Sequence, residues 1–167
     1  AITDQDEKDV AFAGVLKAGE DAIEPVRTFA EKAESLAWPM KILKELLEDE
    51  SFVAELLLWL SKWDTEYAKF IDPKLQILMA LEEFKHPSIV DGVLPFIDDV
   101  NEPARFHAVA TVLAQGDANV IQPLVKLLGD EEIVRIRNKV ADGFATNGWI
   151  VPSDQREALR NVLPAGY

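Results

Sequence analysis

Two copies of one helical pattern occupy residues 87–148, which read PSIVDGVLPFIDDVNEPARFHAVATVLAQGDANVIQPLVKLLGDEEIVRIRNKVADGFATNG. In each copy an apolar stretch that contains a proline leads into an acidic turn, and an arginine then opens a second apolar stretch. Apolar residues in both stretches recur at spacings of three and four, which is typical of amphipathic helices. Because the connections are short, the pattern predicts pairs of antiparallel helices.

The second helix of each pair follows a register that extends upstream of residue 87. It begins near Met40, Lys74, Arg105 and Arg137, which are 34, 31 and 32 residues apart. A period of this length is typical of one helical pair per repeat. The third and the seventh residues after each starting residue are apolar, so each second helix should turn the same stripe toward the core. These stripe residues are Leu43, Ile77, Ala108 and Val140 at the third position, and Leu47, Leu81, Val112 and Phe144 at the seventh.

Helical periodicity runs through almost the whole chain, and no segment keeps the alternating pattern of a strand. We therefore predict an all-α protein. Its helices should span residues 6–18, 21–34, 39–49, 51–70, 73–84, 87–99, 102–114, 118–128 and 131–145, followed by a C-terminal helix. Proline lacks the N–H that a helix interior needs, so prolines inside the first helices predict kinks. These prolines are Pro25, Pro95 and Pro123.

The kinked first helices, the acidic turns and the arginines that open second helices resemble HEAT-like (armadillo-type) helical repeats. The resemblance is clearest over residues 87–148 and weaker over residues 21–84, where Met40 and Lys74 stand at the arginine position. It implies a right-handed α-α superhelix, a HEAT-like repeat solenoid, of about four to five helical pairs.

The resemblance also implies how the chain is organised. We expect a single domain over residues 1–167, with an N-terminal cap over 1–20 and a C-terminal cap helix over 153–163. In this family, acidic and arginine side chains typically tie neighbouring repeats together. That role would fall to Asp99, Arg105, Asp130 and either Arg135 or Arg137.

The charge of the chain argues against nucleic-acid and membrane partners. It has 17 Lys and Arg against 30 Asp and Glu, a formal net charge of −13 and a pI near 4.5. Affinity for nucleic acids and for anionic membranes depends on clustered cations. The densest cationic stretch, residues 135–139, closely follows the acidic residues 130–132. We therefore expect a neutral or basic protein as partner, with no nucleic acid and no membrane.

The sequence offers little catalytic or ligand-binding chemistry. It has no cysteine, which excludes disulfides, thiol nucleophiles and cysteine-based metal sites. Its two histidines, His86 and His107, belong to no metal-binding pattern, and no Gly-x-Ser-x-Gly elbow or phosphate-binding glycine loop occurs. Acidic clusters fall at helix junctions, where carboxylates cap free N–H groups. We predict no catalytic residue, no metal and no cofactor.

Neither a membrane span nor a secretory leader is visible in the sequence. The longest strictly apolar run, residues 56–60, is far shorter than the roughly 20 residues that cross a bilayer. The acidic residues 1–9 lack the cationic start and the apolar stretch of a signal peptide. We therefore expect a cytoplasmic protein.

Residues 51–70 form the most unusual segment. Large apolar side chains recur there at alternating steps of four and three, which predicts one aromatic stripe along a single helix. The stripe residues are Phe52, Leu56, Trp59, Trp63, Tyr67 and Phe70. One interpretation is a central helix packed between two repeats. In the other, Leu58 and one tryptophan, Trp59 or Trp63, stay exposed and bind a partner or a second copy of the chain. Met79 and Phe106 would continue that patch.

We predict a noncatalytic protein–protein interaction or scaffold module that uses the concave face of the helical stack. Second helices would line this face, and the predicted partner-binding residues on them are Gln76, Met79, Phe106, His107, Lys139 and Asp142. A second hypothesis is a HEAT-like component of an enzyme, such as a chromophore lyase-like protein, since some proteins with similar repeats act in chromophore attachment or DNA-base repair. A third is a structural subunit that self-associates into a homo-oligomer.

Overall fold

The computed structural model describes residues 4–163, which form helices, turns and loops without any strand. The α-helices are α1 (Asp4–Ala18), α2 (Ile23–Ala30), α3 (Ala37–Leu46), α4 (Asp49–Leu60), α5 (Asp72–Glu82), α6 (Pro87–Val93), α7 (Glu102–Gln115), α8 (Ile121–Asp130), α9 (Val134–Asn147) and α10 (Arg156–Leu159). Short 3-10 turns at Gly19–Ala22, Leu94–Asp98 and Ala118–Val120 adjoin α2, α6 and α8. The prediction of an all-α protein is confirmed over this range.

The helices pack as consecutive pairs. Each pair joins a first helix to a second helix, namely α2 to α3, α4 to α5, α6 to α7 and α8 to α9. Among the second helices, α7 packs against both α5 and α9, and among the first helices α4 packs against α6. Helix α1 packs on α3, and the short α10 packs on α8. Helices α5, α7 and α9 therefore form one layer.

The predicted inward stripe of the second helices lies in the core. Seven of its eight residues are buried, and Leu47 is half-buried. Leu47 differs because α3 ends at Leu46 and residue 47 has an extended backbone. The stripe and the first helices share one continuous core that runs from Val26 to Leu159. Burial of this apolar surface, at roughly 25 cal/mol per Å², is the main favourable term in folding.

Pro25, Pro95 and Pro123 lie where 3-10 and α-helical backbone meet. Pro25 and Pro123 each occupy the first turn of their helix, just after a 3-10 turn. Proline is tolerated in a first turn because the N–H groups there lack partners inside the helix. Pro95 lies in the 3-10 turn that follows Val93, where α6 ends short of the predicted boundary at residue 99. Each of these first helices consists of two short helical pieces.

The predicted long helix over residues 51–70 is wrong beyond Leu60, where α4 ends. Residues 61–71 form a loop that bonds to distant parts of the chain. The backbone carbonyl of Asp64 accepts a hydrogen bond from Lys74 Nζ at 2.9 Å. This carbonyl therefore bonds to α5 and not to the next turn of a continued helix.

The same loop exposes two aromatic residues that the sequence places on a core stripe. Tyr67 and Phe70 are 72% and 77% exposed. The nearby carbonyl of Thr65 accepts a hydrogen bond from the Val100 N–H at 2.9 Å, which fixes the loop in a non-helical path. Helical spacing in the sequence therefore continues past the point where tertiary contacts end the helix.

The predicted C-terminal cap helix over residues 153–163 is α-helical only at Arg156–Leu159. Residues 153–155 form a turn, which is closed by a hydrogen bond from the Gln155 N–H to the Pro152 carbonyl at 3.0 Å. Leu159 is buried in the common core, so the shortened helix still covers α8.

A chain of ionic contacts connects the starts of α5, α7 and α9. Lys74 Nζ bonds to Asp99 Oδ2 at 2.6 Å, and both side chains are 0% exposed. Arg105 pairs with Glu131 through two bonds of 2.9 and 3.2 Å and also donates to the Asp99 carbonyl at 3.0 Å. Arg137 donates to the backbone carbonyl of Glu131. We call Lys74, Asp99, Arg105, Glu131 and Arg137 the ionic ladder.

The ionic ladder uses partly different residues from those the sequence indicates. The acidic residue of the ladder that precedes α9 is Glu131, whereas the predicted Asp130 is exposed. Asp130 is exposed because α8 continues through it, and the backbone becomes extended only at residue 131. Lys74 makes the buried contact at a position where arginine is expected. Arg135 lies outside the ladder and pairs with Glu102 at 2.8 Å.

A close approach between α7 and α9 depends on Gly143. A methyl group at this position would clash with both Cδ atoms of Leu113, a buried residue of α7. Gly143→Ala should therefore lower the free energy of unfolding by about 1–2 kcal/mol, although alanine has a higher helix propensity than glycine. Urea unfolding followed by circular dichroism measures this change.

Gly129 in α8 provides the matched control, because a methyl group there would contact nothing within 4 Å. Gly129→Ala should stabilise the protein by up to about 1 kcal/mol. Stabilisation by both substitutions would contradict the close packing of α9 against Leu113.

Candidate functional site

Both methionines of the chain, Met40 on α3 and Met79 on α5, line one groove between these helices. The groove has a volume of about 430 Å³. Phe52 and Phe84 also line it, and their rings meet edge to face with centroids 5.7 Å apart. Met79 is 50% exposed, although it is a large apolar side chain. We call this feature the methionine groove.

Lys41, Lys44 and Glu83 supply the charged groups of the methionine groove. Lys44 Nζ pairs with a Glu83 carboxylate oxygen at 3.1 Å, and both side chains are exposed. Lys41 Nζ lies 4.3 Å from the centroid of the Phe12 ring of α1. Exposed ion pairs contribute about 0–1 kcal/mol, so a ligand can displace the Lys44 contact at little cost.

Gln76, one of the predicted partner-binding residues, bonds within the protein. Its side-chain oxygen accepts a hydrogen bond from the Leu36 N–H at 2.6 Å, and its amide donates to Ser35 Oγ at 2.9 Å. These bonds hold the turn before α3 against α5. Gln76 therefore shapes the methionine groove, and its polar atoms already have partners.

Phe106 and His107 on α7 lie beside a charged residue of α9. The guanidinium carbon of Arg135 lies 4.6 Å from the centroid of the Phe106 ring. The rings of Phe106 and His107 meet edge to face with centroids 5.4 Å apart, and both residues are half-buried. Phe106 is thus partly covered by Arg135 and does not present a bare aromatic surface.

Burial lowers the pKa of His107 below its ordinary value. Glu82 on α5 and Glu102 on α7 oppose this shift by attracting the imidazolium form, whereas Arg135 and Lys139 on α9 add to it. His107 is therefore neutral at pH 7 and can donate or accept a hydrogen bond.

Lys139 and Asp142 of α9 occupy the register positions that Gln76 and Met79 occupy on α5. Lys139 is half-buried and Asp142 is exposed. At these positions the layer of second helices changes from an uncharged pair on α5 to a charged pair on α9.

Of the two interpretations of residues 51–70, the one with Leu58 and a tryptophan exposed side by side on one helix does not agree with the structure. Trp59 is 6% exposed and belongs to the core. Trp63 is half-buried, with its ring 5.4 Å from Lys74 Nζ, because α4 ends before it. Leu58, at 56% exposure, is therefore exposed on α4 without the predicted tryptophan beside it.

A cavity of about 290 Å³ beside Trp59 and Trp63 contains one carboxylate, that of Glu31. Glu31 is exposed and pairs with Lys62 at 3.4 Å. The titratable groups that line this cavity are therefore one exposed carboxylate, Glu31, and one exposed ammonium, Lys62, which pair with each other. Across residues 4–163, no group of three or more His, Asp or Glu side chains is placed to hold a metal ion. None of the helices in that range has the length and apolar content of a membrane span.

The sequence-based candidates omit Met40, Lys41 and Lys44 of the methionine groove. In the sequence, Met40 only marks where the second helix of its pair begins. Met40 lies near Met79 because of the way α3 approaches α5, which the sequence does not show. The rarity of methionine, with two in the chain, is the one signal that points to this pair.

No family model, curated protein or solved structure matches this chain.

Proposed function

We propose that this protein is a noncatalytic protein-binding module whose methionine groove holds an apolar side chain of a partner protein. The observation that carries the proposal is the position of both methionines of the chain in one open groove, with Met79 half exposed. Methionine is flexible and polarisable, and it is frequent at surfaces that accept varied apolar groups. The groove volume of about 430 Å³ lies within the usual range of binding clefts.

The finer architecture belongs to the same proposal. We infer that the helical pairs form a right-handed superhelix of the HEAT-like type, with the second helices on its concave face. The consecutive packing of α5, α7 and α9 and the ionic ladder at their starts support this inference. A face of this kind presents several neighbouring helices to one extended partner.

The charge of the protein favours a neutral or basic partner. A net charge of −13 repels acidic proteins at long range and attracts basic ones. Parts of the partner beyond the groove would contact Phe106, His107, Lys139 and Asp142 on α7 and α9. Exposed apolar side chains such as Met79 typically supply most of the affinity, while the surrounding polar residues set orientation.

A peptide-display selection on the native chain tests the proposal. Met79→Glu should weaken the selected peptides by about tenfold or more, because it places a carboxylate where the apolar anchor binds. Fluorescence polarisation with labelled peptides measures the affinities.

Leu58→Glu is the matched control, because Leu58 is 56% exposed against 50% for Met79 but lies on α4, outside the groove. It should leave the affinities unchanged. Loss of binding in Leu58→Glu but not in Met79→Glu would place the partner-binding surface on α4 and contradict the proposal. A selection that enriches no peptide would also contradict it.

Self-association through the groove would appear as a mass in solution that rises with concentration for the native chain and not for Met79→Glu.

A further inference from the structure

A second apolar pocket lies between α9 and the C-terminal segment, apart from the methionine groove. Its volume is about 370 Å³, and its apolar lining includes Val140 and Phe144 of α9 together with Trp149. Arg156 and Arg160 also line it. Apolar clefts of this size with a few polar groups at one side are typical of small-molecule sites.

Backbone geometry fixes the aromatic wall of this pocket. Gly148 ends α9 with a φ of 67°, and the Trp149 N–H donates to the Phe144 carbonyl at 2.9 Å. This helix ending places the indole on the Phe144 ring, and the two rings meet at 90° with centroids 5.6 Å apart. The wall is therefore formed before any ligand binds.

The two arginines give the pocket a positive side. Arg156 Nε donates to the Val151 carbonyl at 2.8 Å, which orients its guanidinium. Arg160 follows four residues later, so both side chains project from the same side of the segment. Among residues 4–163, no carboxylate lies within 4.0 Å of either guanidinium, although Asp154 and Glu157 are close in sequence.

We propose that this pocket binds a free, ionised aliphatic carboxylate of medium chain length. The chain would lie among Val140, Phe144 and Trp149, and the carboxylate would accept hydrogen bonds from Arg156 and Arg160. Guanidinium groups match a carboxylate through paired N–H donors. A polar ligand body is disfavoured because the apolar lining offers it no hydrogen bonds.

Because the chain as a whole is acidic, Arg156 and Arg160 determine whether this pocket can attract an anionic ligand. With 30 acidic and 17 basic residues, the protein as a whole repels anions. Arg156 and Arg160 have no carboxylate partner within the described part of the chain, so at the side of this apolar pocket they attract an anion. A neutral amphiphile of the same length gains only the apolar contacts, and a cationic one is repelled by both guanidiniums.

Isothermal titration of the full chain with decanoate tests this site, and decan-1-ol serves as the neutral probe of equal chain length. Decanoate should bind about tenfold or more tightly than decan-1-ol, because only the carboxylate accepts charged hydrogen bonds. Arg156→Gln/Arg160→Gln should remove this preference and leave the affinity for decan-1-ol unchanged. Lys32→Gln/Lys85→Gln removes two exposed cations outside the pocket and should leave both affinities unchanged.

A second variant and a second readout locate the ligand. Ala145 is exposed and lines the pocket, so Ala145→Trp should fill the pocket and abolish binding of decanoate without disturbing the core. In the native chain, the indole N–H signal of Trp149 should shift on titration in nuclear magnetic resonance spectra. Equal affinities for decanoate and decan-1-ol, unchanged affinity in the double arginine variant, persistent binding in Ala145→Trp, or no binding at all would each overturn the proposal.

Discussion

Replacing Lys74 by methionine should lower the free energy of unfolding by about 3–5 kcal/mol. The substitution keeps an apolar stem but removes the ammonium group that pairs with the fully buried Asp99 carboxylate. It also removes the hydrogen bond to the Asp64 carbonyl, which holds the loop over residues 61–71 against α5. A carboxylate left in the core without a cation is strongly destabilising. Urea unfolding followed by circular dichroism measures the loss.

Lys44→Met is the matched control for this prediction. Lys44 also pairs with a carboxylate, that of Glu83, but both side chains are exposed. Removal of an exposed pair changes stability by about 1 kcal/mol or less. A loss for Lys74→Met no larger than that for Lys44→Met would contradict the buried pairing of Lys74 with Asp99.

The double variant Lys74→Met/Asp99→Asn separates the ion pair from local packing. Asparagine at position 99 keeps an oxygen that can accept the Asn101 N–H, which Asp99 accepts at 2.7 Å, but it carries no charge. The double variant should therefore be more stable than Lys74→Met alone, since no unpaired charge stays in the core. Additive losses from the two substitutions would show that the two groups do not interact.

The helical fold could be predicted from the sequence because burial of one helix face requires apolar residues at spacings of three and four, and this spacing is visible in the sequence. Ile77, Ala108 and Val140 follow that spacing and are completely buried. The end of α4 could not be predicted in this way. The same spacing continues to Phe70, whereas the helix ends at Leu60 because later backbone groups bond to residues of α5 and of the turn before α7.

The candidate site could be predicted only in part. Met79 stands out as an apolar residue on the outer side of its helix, and its exposure agrees with that position. The groove around it depends on the approach of α3 to α5, which no local pattern records. Gln76 has an outward position in the sequence as well, yet its amide bonds to the turn before α3, a contact that joins residues 40 positions apart. Tertiary contacts therefore decide which outward residues are available to a partner.

Replacing Arg105 by methionine should lower the free energy of unfolding by about 3 kcal/mol at pH 7. Arg105 makes two bonds to the Glu131 carboxylate, which is 3% exposed, and one to the Asp99 carbonyl. The variant leaves Glu131 buried without its cation and interrupts the ionic ladder between α7 and α9. Arg135→Met is the control, because Arg135 pairs with Glu102 near the surface and its loss should change stability by about 1 kcal/mol or less.

The pH dependence of this loss tests its cause. Burial alone would raise the pKa of Glu131, but hydrogen bonds from Arg105 and from the backbone N–H groups of Ile133 and Glu132 outweigh it, and the pKa is lowered. A pKa lowered by folding stabilises the native protein above the ordinary carboxyl pKa, and this contribution disappears as the pH falls through the folded value. In Arg105→Met the hydrogen bond and the charge through which Arg105 lowers the pKa of Glu131 are lost, so this pKa should be higher than in the native chain. The stability gap between the native chain and Arg105→Met should therefore be largest near pH 7 and should shrink toward about pH 4, as measured by urea unfolding at both values. A gap of equal size at the two pH values would show that the Glu131 carboxylate is not the group that Arg105 stabilises.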